Sequence, residues 1–330
     1  MPIIVKAPYW HSTVDDIYEN VTLGRGIVVY RNTRSVSVRF LGAEKETLIN
    51  QPFIGVSCGI NHALLLSADF KLYSIGSNRH GQCGHDSGDD GAFQERLIAS
   101  NVCLIAAGPS SSFYTSEDGK LFALGNNDYG QLGVPNVDES FSISSPTAVN
   151  FRGNITALSS GYTHTCFISG GVLYGCGFNS HGQLDFLCGR NKEISLFSFP
   201  EKSLSFVPVR VSCGTWNTAV VSADGNLYIC GQAPRFQVHP QGIPEIIAEH
   251  ENRKARRATF EKPELGFQRL PFDAVFADVA VGSSIALALL SDLRTIWIID
   301  LAELDVAQKI QQEEFITHFS VCGQYYSFST

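Results

Sequence analysis

Apolar and polar positions fall in short bursts along this chain, and the bursts repeat. Residues 56–84 read Val-Ser-Cys-Gly-Ile-Asn-His-Ala-Leu-Leu-Leu-Ser-Ala-Asp-Phe-Lys-Leu-Tyr-Ser-Ile-Gly-Ser-Asn-Arg-His-Gly-Gln-Cys-Gly, and the pattern returns at 105–133, 158–185 and 211–232. In each copy a glycine precedes a short apolar run, a polar turn follows, and a second apolar run ends at another glycine. The turns are Ser116-Glu117-Asp118-Gly119, Ser169-Gly170-Gly171 and Ser222-Ala223-Asp224-Gly225. Asp-Gly and Gly-Gly between two β-rich runs predict hairpins, because these residues tolerate the positive φ of the tight turns that join antiparallel strands. The second strand carries Leu72-Tyr73, Leu121-Phe122, Leu173-Tyr174 or Leu227-Tyr228 and closes at Gly76, Gly125, Gly177 or Gly231.

Three copies continue into Gly-x-Asn-x-x-Gly-Gln turns: Gly76, Asn78, Gly81, Gln82, Gly84; then Gly125, Asn127, Gly130, Gln131, Gly133; then Gly177, Asn179, Gly182, Gln183, ending at Asp185. Glycine supplies the backbone freedom and asparagine bonds to nearby backbone, so these are read as turns before anything else. Fainter copies begin at Gly24 and Gly282, and a last one at Gly323 stops after one strand. Residues 2–9 are expected to supply its missing strand. Opening glycines at Gly24, Gly59, Gly108, Gly161, Gly214, Gly282 and Gly323 thus count seven units. Hairpin units with a period of about 50 residues must bury apolar faces against neighbours, and the closed solution is a propeller. The expected fold is all-β: one domain over 1–330, a seven-bladed propeller of four-stranded blades, with the N- and C-terminal strands sharing one blade. An open sandwich or two separate β domains would not explain an orphan strand at one end and a truncated unit at the other.

Composition narrows the function. The 330 residues are 44% apolar and 17% charged, as in a folded globular protein. A net charge of −8 argues against nucleic-acid binding by the whole surface. The longest apolar runs are far shorter than a bilayer span, and the first residues lack the build of a signal peptide, so no membrane association is expected. Nine cysteines without any Cys-x-x-Cys do not form a disulfide framework in a chain of this length. They point to a reducing intracellular compartment, cytoplasm or nucleus.

Cys/Ala-Gly-x-x-His-Thr/Ala before the hairpin, Asp-Gly in its turn and Gly-x-Asn-x-x-Gly-Gln-Leu-Gly after it resemble the regulator of chromosome condensation repeat. The resemblance covers nearly the whole chain and is strongest over 56–185. WD-repeat and kelch propellers fit worse, since no Trp-Asp pair recurs. The three tryptophans also fall short of the clusters used by the ultraviolet-photoreceptor members. The resemblance implies a monomeric propeller that serves as a binding platform. In the founding members it implies guanine-nucleotide exchange on the Ran GTPase, performed by a wedge that distorts the nucleotide site. Those members also carry a basic tail for chromatin, whereas this sequence begins almost directly in a strand. The wedge has no residue-by-residue match here.

His62 and His164 stand where other copies have Ser111, Asn217, Ile285, Tyr326 and Ile27. A position that recurs in every blade and accepts such replacements is read as structural, hydrogen bonding within the blade. Cys58, Cys213 and Cys322, each just before an opening glycine, are read as small packing residues. His80, Cys83 and His85, with Asp86, Asp89 and Asp90 following, carry metal-capable side chains, yet 81–84 are the repeat's own turn, so no metal is assigned. Catalytic motifs are missing, and neither catalytic residues nor a cofactor are expected.

The longest interval between opening glycines runs from Gly214 to Gly282, which places an insertion at about 232–281, projecting from a face. Its residues 244–257 pass from acidic to basic, a polarity that suits a helix. Arg253, Lys254, Arg256 and Arg257 put four cations in five residues and are the candidate partner-binding group, or a nuclear-import signal. The function expected is a non-catalytic protein-binding propeller, adaptor or complex subunit. Its recognition surface is placed on the loops after the second and fourth strands together with the insertion. A Ran-type exchange factor is the alternative, and a hydrolytic or lyase propeller stands last.

Overall fold

The apolar runs on either side of each predicted turn pair as antiparallel strands, and each such hairpin gains a strand on both sides. The computed structural model describes residues 4–6, 20–40, 46–85, 92–135, 141–184, 194–198, 204–231, 266–301, 304–322 and 325–329. Strand β1 is Ile4–Lys6. Blade 1 holds β2 (Asn20–Leu23), β3 (Ile27–Arg31), β4 (Val36–Phe40) and β5 (Glu46–Ile49). Blade 2 holds β6 (Phe53–Cys58), β7 (His62–Ser67), β8 (Leu72–Gly76) and β9 (Ala92–Ala99). Blade 3 follows with β10 (Val102–Ala107), β11 (Ser111–Ser116), β12 (Lys120–Asn126) and β13 (Ser142–Arg152). Blade 4 is β14 (Ile155–Ser160), β15 (His164–Ser169), β16 (Val172–Gly177) and β17 (Ile194–Ser198). Blade 5 is β18 (Pro208–Cys213), β19 (Asn217–Ser222), β20 (Leu227–Gly231) and the two-residue β21 (Gln268–Arg269). Blade 6 is β22 (Phe276–Val281), β23 (Ile285–Leu290), β24 (Thr295–Asp300) and β25 (Asp305–Gln311). The remaining strands, β26 (His318–Cys322) and β27 (Tyr325–Ser329), form a sheet with β1 in the order β1-β27-β26.

Six four-stranded blades are therefore present, and the expectation of seven is corrected. The glycine count included Gly323, which follows β26, but the sheet built there has three strands. The physical reason is that an opening glycine marks only the link between a first and a second strand. The outermost strand carries none of the repeat's fixed residues. In the three-stranded sheet Ile4 lies opposite Phe328 and Lys6 opposite Tyr326. That sheet packs between blades 1 and 6, with β26 against β2 and β22.

First strands of neighbouring blades touch one another, β6 with β10, β10 with β14, and β14 with β18, so they surround the axis. Second strands are buried on both faces, which is why their sequences read as continuous apolar runs instead of alternating. Strand β7 shows the division of labour. Ala63 and Leu65 pack into blade 1 with Ile27, Val29 and Val38, whereas Leu64 and Leu66 pack into blade 3 with Val102, Tyr114 and Leu124. The period-two pleat thus lets one strand serve two cores, and the hydrophobic core is a series of layers between blades. Among the described residues no helix is long and apolar enough to cross a membrane.

Candidate interaction surface

The repeat's fixed residues build the joints between blades. His62 is fully buried, with Nε2 3.0 Å from Ser112 Oγ in the next blade. Ser112 Oγ donates its own proton to the Gln82 carbonyl at 2.7 Å, so His62 must donate through Nε2. His164 repeats the joint one pair of blades further on. Its Nε2 lies 2.8 Å from Thr218 Oγ1, which donates to the Gln183 carbonyl at 2.6 Å. Burial drives the His62 pKa down to about 4, so the imidazole is neutral. His62 and His164 are joints between adjacent blades, a wider reach than the bonding within one blade expected of them.

The Gly-Gln turns are equally uniform. Asn78, Asn127 and Asn179 each accept through Oδ1 from the amide five residues on, at 2.7, 2.9 and 2.7 Å. Gln82, Gln131 and Gln183 each accept through Oε1 from the amide two residues back, at 2.9, 2.9 and 3.0 Å. Closing glycines Gly76, Gly125, Gly177 and Gly231 all have positive φ, between 89° and 111°. A side chain on any of them would run into backbone of the loop before the second strand. Two of the possible metal ligands, Cys83 and His85, are held inside one of these turns. Asn78 Nδ2 meets His85 Nδ1 at 3.1 Å, and Cys83 Sγ points at the Ser77 carbonyl at 3.2 Å. Asp86, Asp89 and Asp90 lie outside the described residues, among which no group of three or more metal-capable side chains converges.

These joints sort the loops onto two faces. Links after first strands bond one another around the ring, Gly26 N to Ile60 O (2.6 Å), Ile60 N to Pro109 O (3.1 Å) and Tyr162 N to Gly214 O (3.1 Å). The ends of third strands join them, through Ser77 N to Asn61 O and Phe178 N to Thr163 O, both 2.8 Å. On the opposite face the hairpin turns meet the links between blades, as in Ala223 N to Val207 O and Ser291 N to Val275 O, both 2.8 Å. That hairpin face carries short exposed ion pairs such as Asp118–Lys120 at 2.6 Å, and the Lys120 and Ser116 bonds hold the Asp118 carboxyl down at about 2.

The first face instead gathers aromatic rings. Tyr129, in the Gly-Gln turn of blade 3, lies 5.0 Å from Phe178 of blade 4. Phe178 lies 5.8 Å from His181, and His181 stacks on Trp216 of blade 5 at 4.7 Å and 8° between planes. All four are partly exposed, and Tyr162, between Gly161 and His164, is 48% exposed beside them. Burial lowers the His181 pKa, so the ring stacks as neutral imidazole. Aromatic side chains in partly exposed clusters are the residues interfaces favour. The recognition surface expected on the loops after second and fourth strands thus lies opposite this row, which occupies loops after first and third strands.

The signature residues Gly59, Gly108, Gly161, Gly214 and Gly282 sit in the links after first strands, while Gly323 lies outside the described residues. Arg253, Lys254, Arg256 and Arg257, with the rest of 232–265, also lie outside them. The other end of the expected insertion belongs to the propeller, as β21 and β22. Sequence reasoning passed over Tyr129, Tyr162, Phe178 and Trp216. Their signal was available: Tyr162, Phe178 and Trp216 stand at repeat positions that vary from copy to copy, and Tyr129 stands where the other turns have His80 and His181.

The fold and this face define a β-propeller whose blades are locked by inter-blade hydrogen bonds and whose loops are free to vary. Residues 118–168 and 53–82 match models described as the regulator of chromosome condensation (RCC1) repeat. Over these residues the chain carries repeats of the RCC1 type. It is 26% identical over 203 residues to an RCC1 domain-containing protein of Dictyostelium discoideum; the match takes in 57% of this chain and 33% of the relative, so the chain spans about a third of that protein. Among solved structures, human WBSCR16 superposes with a TM-score of 0.70 at 16% identity, covering 97% of this chain and 88% of the other. Yeast RCC1 (Prp20), solved bound to Kap60, gives 0.70 at 17% identity, covering 94% and 80%. A structure of Prp20p from Saccharomyces cerevisiae, described with its binding to Gsp1p and histones, gives 0.69 at 17%, covering 94% and 81%. At these identities the likeness is one of fold.

Proposed function

We propose that this chain is a non-catalytic protein-interaction propeller, an adaptor or complex subunit working in the cytoplasm or nucleus. The observation that carries the reading is the row Tyr129, Phe178, His181 and Trp216, with Tyr162 beside it, spread over three neighbouring blades on one face. The repeat fixes its own buried residues and leaves these positions open, which is where a recognition surface is free to evolve on a rigid scaffold. Arg253, Lys254, Arg256 and Arg257 belong to the proposal as a second, electrostatic contribution. The test is capture of partners from the native cell by the wild-type chain and by the Tyr162→Ala/Trp216→Ala variant. Loss of the captured set in the variant, with a native circular dichroism spectrum, supports the reading; an unchanged set removes the face from it.

A second reading is guanine-nucleotide exchange on a Ran-type GTPase. The fold likeness to Prp20p, whose binding to Gsp1p is described, favours it. Release of labelled GDP from Ran decides between them. Acceleration by orders of magnitude establishes exchange, and an unchanged rate leaves the interaction reading.

A further inference from the structure

The boundary between blades 4 and 5 differs from its counterparts in what faces what. Side chains of β15 alternate, and His164, Cys166 and Ile168 point toward blade 5, where they share a core layer with Val211, Cys213 and Val220. His164 bonds to Thr218, which pairs with Cys213, and Cys166 is the next side chain of β15 on that face. A hydrogen bond fixes the approach: Ser159 lies opposite Cys166 across β14 and β15, and its Oγ accepts from the Cys213 amide at 2.9 Å. The two thiols lie in the same buried layer. Equivalent positions are Leu64 and Ala107 between blades 2 and 3, Phe113 and Ser160 between 3 and 4, and Ala219 and Val281 between 5 and 6. Among these boundaries, the one between blades 4 and 5 puts sulfur on both sides. Both residues are free thiols, Cys166 with no exposure and Cys213 with 7%.

We propose that Cys166 and Cys213 form a disulfide across the boundary of blades 4 and 5 when the protein meets a hydroperoxide. Burial opposes ionisation of both, and it pushes the Cys166 thiol well up. At Cys213 burial also opposes ionisation, but the hydrogen bond from the Cys166 thiol outweighs it and favours the thiolate, which makes Cys213 the attacking sulfur. The Cys213 thiolate attacks one peroxide oxygen, the O–O bond breaks, and the departing alkoxide takes up the thiol's proton as an alcohol. The sulfenic acid is then attacked by Cys166; the S–S bond forms and hydroxide leaves with the Cys166 proton as water. Two thiols are oxidised by two electrons and one hydroperoxide is reduced. Because the pair is buried, the reaction waits on local opening of the boundary and is slower than oxidation of the exposed Cys103. The resulting cross-link ties together the two blades that carry His181 and Trp216.

The experiment exposes the folded full chain to tert-butyl hydroperoxide, blocks remaining thiols with iodoacetamide in denaturant, and maps peptides without reduction. The expected result is a Cys166–Cys213 peptide lighter by two hydrogens, a Tm raised by several degrees, and reversal of both by dithiothreitol. Cys166→Ser and Cys213→Ser each abolish the linked peptide and the Tm rise, while Cys103→Ser keeps both. Carboxamidomethylation of Cys166 and Cys213 after Cys103 is fully oxidised overturns the proposal. So does a linked peptide that joins either of them to Cys176 or Cys230 instead.

Discussion

Each blade joint offers its imidazole an acceptor, because Ser112 and Thr218 spend their own protons on the Gln82 and Gln183 carbonyls, and at His62 burial keeps the ring neutral. For His62 the consequence is a pH dependence with a definite sign. Its folded-state pKa of about 4 lies below the ordinary 6.5, so the unfolded chain binds the extra proton first. The stability it protects is complete above pH 6.5 and is lost as the pH falls through 4, to the extent of about 3 kcal/mol. A His62→Gln variant, which keeps a donor but cannot titrate, should be less stable at neutral pH by about 1–2 kcal/mol and lose less on acidification. Urea unfolding at pH 7.5 and pH 4.5 measures both; parallel pH curves for the two proteins would show that another group controls acid unfolding. The sequence exposed this residue as structural through its replacement by serine, asparagine and isoleucine in other copies. What it hid was the partner, since Ser112 belongs to the next repeat, fifty residues away.

At the level of the element, the hairpins and Gly-Gln turns were legible because each depends on residues with few substitutes. Gly177 shows why: with φ at 106° and the Thr163 carbonyl where a side chain would go, alanine has neither the conformation nor the room. Gly177→Ala should cost about 2–4 kcal/mol, and Asn179→Ala, which removes the acceptor of the Leu184 amide, about 1–2 kcal/mol. Equilibrium urea unfolding that ranks Asn179→Ala as the costlier would contradict this account. Outermost strands were illegible for the opposite reason. Strand β13 is mostly exposed or half-buried along eleven residues, carries Ser145 and Pro146, and bears register shifts against β12, so neither alternation nor a fixed residue betrays it. Opening glycines therefore mark the links between first and second strands in the six blades, but they do not say whether a fourth strand follows, and counting Gly323 as a seventh blade failed because the sheet there has three strands.

For the molecule as a whole, the decisive asymmetry is between its two faces. The hairpin face carries short local pairs such as Ser67–Asp69–Lys71, which satisfy their own charge and contribute little to stability, and scattered exposed apolar side chains such as Phe70, Val207 and Val275. The other face holds the partly exposed aromatic row, and the four cations at 253–257 follow blade 5 in sequence, outside the described residues. If both serve one partner, their contributions differ in physical kind and can be separated. Tyr162→Ala deletes a side chain that is about half exposed, so the fold should keep its Tm. Affinity for the captured partner should fall about tenfold, equally at low and high salt. Replacing Arg253, Lys254, Arg256 and Arg257 with glutamine should weaken binding mainly by slowing association at low ionic strength, an effect that shrinks as salt screens it. Surface plasmon resonance at 50 and 500 mM salt reads both. A Tyr162→Ala loss that disappears at high salt would assign the aromatic row to packing within the propeller and leave the cations as the recognition element.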